Sequence, residues 1–188
     1  MSPVELLGVI FGALSVWLTA RGSIWCWPTG IANTALFIVL FTGARLYGDV
    51  VINAVMLALS IYGWWQWRHG GPRGTPRRIA WATRRARAAV ILSVALLVPV
   101  SGWGLLHAGS ALPWWEGAIV GLSLVAQLLL GRKLVESWIL WLAVDVIAVG
   151  VYLSRGLYLT AALYAGFLGL ALHGLVRWAR LTASPERL

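Results

Sequence analysis

Charged residues are scarce in this chain: Asp, Glu, Lys and Arg make up 11% of its 188 residues, less than half the roughly 25% of an ordinary soluble domain. With 60% hydrophobic residues and a mean hydropathy of +0.82, that deficit argues against a water-soluble fold. Cysteine is nearly absent. Cys26 stands alone, which rules out an intramolecular disulfide and a cysteine-rich metal site. Six acidic side chains face fifteen Lys and Arg, a net charge of +9 that in a soluble chain would point to nucleic acid. Nearly all of these cations lie between apolar runs, so the charge reads as membrane orientation and no nucleic-acid partner is expected. Also missing are an HExxH pair, a Walker loop, a nucleophile elbow and any Cys/His cluster, so no enzyme, metal or cofactor is expected. The first apolar run lacks a cationic lead-in and a small-residue cleavage site, and is expected to stay as a helix.

What the sequence does have is hydrophobic length. A spanning helix needs roughly 20 mostly apolar residues, and seven stretches qualify: 4–20, 25–43, 48–67, 88–106, 114–131, 137–154 and 157–177. The fourth and fifth share one run free of Lys, Arg, Asp and Glu, from Ala88 to Trp115, divided at His107 to Pro113 by the turn residues Gly109, Ser110 and Pro113. The expected fold is therefore all-α, a polytopic membrane protein of seven transmembrane helices. Cations in short loops stay on the cytoplasmic side. With the amino terminus outside and the carboxyl terminus in the cytoplasm, the inner loops hold Arg21; Arg68, Arg73, Arg77, Arg78, Arg84, Arg85 and Arg87; Arg132 and Lys133; and Arg177, Arg180 and Arg187. Only Arg45 and Arg155 fall outside. Dropping or adding a helix before residue 100 would scramble that split. The stretch from Arg68 to Arg87, centred on Gly70-Gly-Pro-Arg-Gly-Thr-Pro76, reads as a basic, solvated cytoplasmic loop beside anionic lipid.

The chain also repeats itself. An offset of 111 positions sets Trp27 on Trp138, Leu46-Tyr47 on Leu157-Tyr158, Gly63 on Gly174 and Trp67 on Trp178; one inserted residue brings Asn33 onto Asp145. Two three-helix units of the same orientation need an odd connector, which gives a 3+1+3 parallel repeat. Residues 1–68 form the first bundle, 69–87 the basic loop, 88–108 the connecting helix, 112–180 the second bundle and 181–188 a cytoplasmic tail. Parallel repeats of this kind build transporters whose site lies near the bilayer midplane, and a small aromatic solute is the expected cargo.

Asp145 is the strongest site candidate, because a charge eight residues into a spanning helix needs a partner or a wet cavity. Trp138, Trp141 and Asp145 follow i, i+3, i+7 spacing and share one helical face. An alternative reading makes Asp145 structural glue, bonded to Asn33 or Ser60. Asn53, Ser60, Trp64 and Trp67 form a second stripe, echoed by Tyr164, Ala171, Leu175 and Trp178. Rings in these stripes could stack on a flat heterocycle while Asn33, Asn53 and Gln127 bond its polar edge. Several of the thirteen tryptophans, including Trp25, Trp27, Trp67, Trp81, Trp114, Trp115 and Trp178, sit at expected helix ends and read as interfacial belts. With no chain of titratable groups in the helices, a facilitator without ion coupling is the simpler expectation. A noncatalytic membrane scaffold is the rival class.

Several motifs carry a family resemblance. They are Trp27-Pro-x-Gly-x-x-Asn33-x-x-x-Phe37, Tyr47-x-Asp49, Tyr62-Gly-Trp-Trp-x-Trp67, Ala126-Gln127, Arg132-Lys133-x-x-Glu136-Ser-Trp138-x-x-Trp141-x-x-x-Asp145 and Gly156-Leu-Tyr-Leu-Thr160. In these, from about residue 24 to 178, the chain resembles the PnuC family of bacterial vitamin transporters. The resemblance implies a seven-helix, SWEET-like fold in a homotrimer of the bacterial inner membrane. It implies diffusion of nicotinamide riboside inward, trapped by a cytoplasmic kinase that phosphorylates it. It would place Asn33, Trp64, Gln127, Trp138, Trp141, Asp145 and Tyr164 around the substrate, and Phe37 and Asn53 complete the set of candidate solute contacts. The third helix departs from the family pattern, carrying Asn53 and Met56 where members commonly have Gln and Tyr, and related members are associated with thiamine or other nucleosides.

Overall fold

A computed structural model describes residues 3–183, so Arg187 and most of the tail lie outside the described residues. Seven α-helices appear: α1 Pro3–Ala20, α2 Cys26–Gly43, α3 Tyr47–His69, α4 Arg84–His107, α5 Pro113–Gly131, α6 Glu136–Ser154 and α7 Tyr158–Ala183. No strand occurs among the described residues, only one isolated parallel bridge between Ala80 and Leu134. The helices from α2 to α7 are long and apolar enough to cross a membrane; α1 is a shorter apolar helix over Leu6–Ala20. Large apolar side chains left outside the packing, such as Ile91, Leu92 and Leu96 on α4, suit a lipid solvent, in which a helix satisfies its own backbone.

The chain forms two compact units. One comprises residues 1–78 with 131–133, the other 79–130 with 134–188. In the first, small residues let α1 and α2 approach: Cβ atoms built at Gly8 and Gly12 would meet Phe37 and Asn33 at 3.1 and 3.0 Å. Asn33 Nδ2 donates to the Gly8 carbonyl at 2.7 Å, and Ser15 Oγ to that of Cys26 at 2.8 Å. The Cys26 thiol is buried. Helix α3 closes on α2 by setting Gly63 against the Trp27 ring, where any Cβ would collide. Trp67 then meets Trp27 edge to face, centroids 5.4 Å apart at 87°; these two rings and Trp178 are buried, so packing against small residues, and not an interfacial belt, accounts for them.

The second unit repeats this arrangement between α6 and α7. Gly174 seats the Trp138 ring, with three ring atoms 2.6–2.7 Å from where a Cβ would be, and Trp138 meets Trp178 edge to face at 5.5 Å and 88°. Helices α4 and α5 touch backbone to backbone, Gly117 against Gly102 and Gly121 against Val98. Ala82, Val125, Leu129 and Leu134 form an apolar cluster beside them, flanked by Val90, Val94 and Leu97.

Two boundaries differ from the sequence reading. Helix α4 starts at Arg84 rather than 88 because Thr83 accepts from the Ala86 N–H and caps it. This places Arg84, Arg85 and Arg87 in the first helical turn. Helix α7 runs to Ala183, carrying Arg177 and Arg180, whose long stems let a helix continue into the interface.

The basic loop is exposed but pinned. Arg77 Nε donates to the Arg132 carbonyl at 2.8 Å and its Nη1 to Gln66 Oε1 at 3.0 Å. Further along, the Ala82 N–H donates to both Glu136 oxygens at 3.0 Å, and Arg87 pairs with the same carboxylate at 3.0 Å. Glu136 also lies in the first turn of α6, where the helix dipole favours an anion. Glu136→Ala is expected to destabilise the fold by about 2 kcal/mol, since a charged acceptor serving a buried N–H is lost. A thermal midpoint in detergent unchanged by the substitution would show that this clamp is dispensable.

Candidate functional site

The nine residues singled out from the sequence fall into both units. In the first, Asn33 spends its amide N–H on α1, and Phe37 stacks with Phe41, centroids 5.6 Å apart at 23°. Asn53 Nδ2 donates to the Asp49 carbonyl of its own helix at 2.9 Å. Trp64 is half-buried beneath the Arg68 guanidinium, which stands 5.3 Å from its ring. Among the described residues the Trp64 indole N–H, like those of Trp27 and Trp138, meets no acceptor.

Beside these lies a cation that the repeat does not foretell. Lys133 holds a left-handed φ of 50°, a conformation that costs a non-glycine residue about 1–2 kcal/mol. At the position 111 residues earlier, its match in the sequence repeat, stands Gly22, with φ of 71°. The Lys133 ammonium rests 4.3 Å from the centre of the Trp67 ring, a cation–π contact that offsets part of the strain. Burial holds the amine below the usual lysine range, and Cys26 partly counters that.

In the second unit the structure brings Asp145 and Tyr164 together. Asp145 lies mid-way along α6, 4% exposed. Neither ion pair found among the described residues, Arg87–Glu136 and Arg155–Glu116, involves it. Tyr152 follows Asp145 by seven residues on the same face of α6, and Tyr164 on α7 reaches that face through it. The two tyrosine rings stack 5.2 Å apart at 30°, and Phe167 meets Tyr164 edge to face at 5.9 Å. Trp141 and Gln127 are half-buried, and Trp141 shares the α6 face of Asp145 one turn away. Trp138 is only 2% exposed, committed to Gly174 and Trp178. Tyr152 was missed by sequence reasoning; its signal is its place seven residues after Asp145, on the same α6 face.

This arrangement offers flat aromatic surfaces next to one uncompensated carboxyl group, and no nucleophile with an adjacent base. Among the described residues no three His, Cys, Asp or Glu side chains come together to hold a metal. The group is therefore suited to holding a flat solute by stacking and charge.

The sequence profile described as nicotinamide mononucleotide transporter matches residues 2–180. The chain belongs to this transporter family. Among its relatives, the nicotinamide riboside transporter PnuC of Escherichia coli is 26% identical over an alignment spanning 100% of this chain and 88% of the relative. The riboflavin/roseoflavin transporter RibM of Streptomyces davaonensis is 29% identical, with 93% of this chain and 83% of RibM covered. The crystal structure of the vitamin B3 transporter PnuC superposes with a TM-score of 0.75 at 24% identity, covering 96% of this chain and 82% of that one. The fold is thus that of PnuC, and the family is one of membrane transporters. The buried Asp145 and its rings therefore stand in the context of a solute transporter.

Proposed function

We propose that this chain lets nicotinamide riboside cross a bacterial inner membrane by facilitated diffusion, with a cytoplasmic kinase phosphorylating the solute and trapping it. The observation that carries the reading is alignment, over the whole chain, to a relative named as a nicotinamide riboside transporter. The solute-contacting group we assign is Trp141, Asp145 and Tyr164, extended by Tyr152. The distribution of cations supports an outer amino terminus and a cytoplasmic carboxyl terminus, and the resemblance to PnuC supports a trimer. Transport of riboflavin is a second reading, favoured by the similarity to RibM.

Proteoliposomes holding the purified protein are expected to equilibrate labelled nicotinamide riboside far faster than empty vesicles. The solute is also expected to raise the thermal midpoint of the detergent-solubilised protein by linkage. Uptake of riboflavin but not nicotinamide riboside would decide for the second reading. Failure of a panel of vitamins and nucleosides either to cross or to stabilise would favour a noncatalytic scaffold.

A further inference from the structure

We infer that Asp145 is the counter-charge for a solute whose flat ring carries a fixed positive charge, so that the chain selects cationic heterocycles over neutral ones of the same shape. The inference rests on the transport reading above and names the chemical class of solute for the group assigned there.

Asp145 is more than nine-tenths buried, and no hydrogen bond or ion pair to it is found among the described residues. From Leu134 to Val176 the chain holds a single Lys or Arg, Arg155, and that guanidinium is already bound to Glu116 at 2.8 Å. A carboxylate inside a bilayer faces a partner or water, and the arginines of α7, Arg177 and Arg180, lie in the last two turns of that helix, more than three turns beyond Tyr164. What α6 and α7 do supply are π faces. Tyr152, two turns after Asp145 on the same α6 face, stacks on Tyr164, and Trp141 stands one turn before Asp145 on α6.

Aromatic faces attract a cation more strongly the less water surrounds it. A carboxylate in a medium of low dielectric does the same over a longer range. A neutral heterocycle would gain only the stacking part of this environment. A ring with a quaternary nitrogen gains all of it and also satisfies the orphaned carboxylate. Nicotinamide riboside carries such a charge on its pyridinium nitrogen, and thiamine carries one on its thiazolium. Dihydronicotinamide riboside has nearly the same outline without the charge, and riboflavin is neutral.

The test compares initial uptake of nicotinamide riboside and dihydronicotinamide riboside by proteoliposomes at zero membrane potential, with the rate into empty liposomes subtracted. The wild-type chain is expected to move the charged ring at least about tenfold faster. Asp145→Asn, which keeps shape and polarity, is expected to slow the charged solute alone and bring the two rates within about twofold. Equal wild-type rates, faster movement of the neutral ring, or a preference that survives in Asp145→Asn would each overturn the inference. The wild-type comparison needs no variant to fold. If riboflavin moves and neither nicotinamide solute does, the charge selection falls while transport stands; if nothing moves, both fall.

Discussion

Gly174→Ala is expected to cost about 3 kcal/mol of stability, the upper end of what overpacking a fitted core brings. The added methyl group would lie 2.6–2.7 Å from three atoms of the Trp138 ring, closer than real Cβ contacts come. The ring has no room to yield, being 2% exposed and held edge to face by Trp178. The test is a double-mutant cycle with Trp138→Leu, read from thermal or denaturant unfolding in detergent. Removing the indole alone opens a void and also destabilises. Combined with Gly174→Ala, it removes the collision, so the double variant should be more stable than the two separate losses predict by at least about 1 kcal/mol. Gly63→Ala with Trp27→Leu should behave alike in the first unit, where the same collision exists. Strictly additive losses in both cycles would show that these glycines do not seat the rings.

Trp141→Ala is expected to lower the rate of nicotinamide riboside uptake by about tenfold to a hundredfold, because stacking of a heterocycle on an aromatic ring contributes about 1–3 kcal/mol. The unfolding midpoint should fall much less than for Gly174→Ala, since Trp141 is only half-buried. Trp65→Ala is the control. That ring is 57% exposed and has no part in the group assigned to the solute, so uptake should be unchanged. Equal uptake by the Trp141 and Trp65 variants would remove Trp141 from the solute-contacting group.

Seven helices and their turns were legible because apolar length and the placement of cations are one-dimensional signals. The split of the long run at His107 to Pro113 agrees with the end of α4 at His107 and the start of α5 at Pro113. Helix ends carrying arginine were less readable, since a charge marks the interface and not the last hydrogen bond; hence the early start of α4 and the long tail of α7. The 111-residue offset picked out Trp27, Gly63 and Trp67 with their counterparts, yet spacing alone could not say that the glycines seat the rings. Helical periodicity places Trp138 and Asp145 on related faces and leaves open which side chain meets a neighbouring helix. The Glu136 clamp on Ala82 and the stack of Tyr152 on Tyr164 join residues from different elements. Such contacts depend on how the chain returns on itself, which no local pattern records.

The burial of Cys26 has a practical consequence for following this molecule at work. With its only native thiol 2% exposed, the unmodified chain is already a silent background for maleimide chemistry. A single cysteine introduced on an exposed turn can therefore carry a fluorophore or spin label without prior removal of the natural one, and its accessibility from either face of a sealed vesicle reads out sidedness directly.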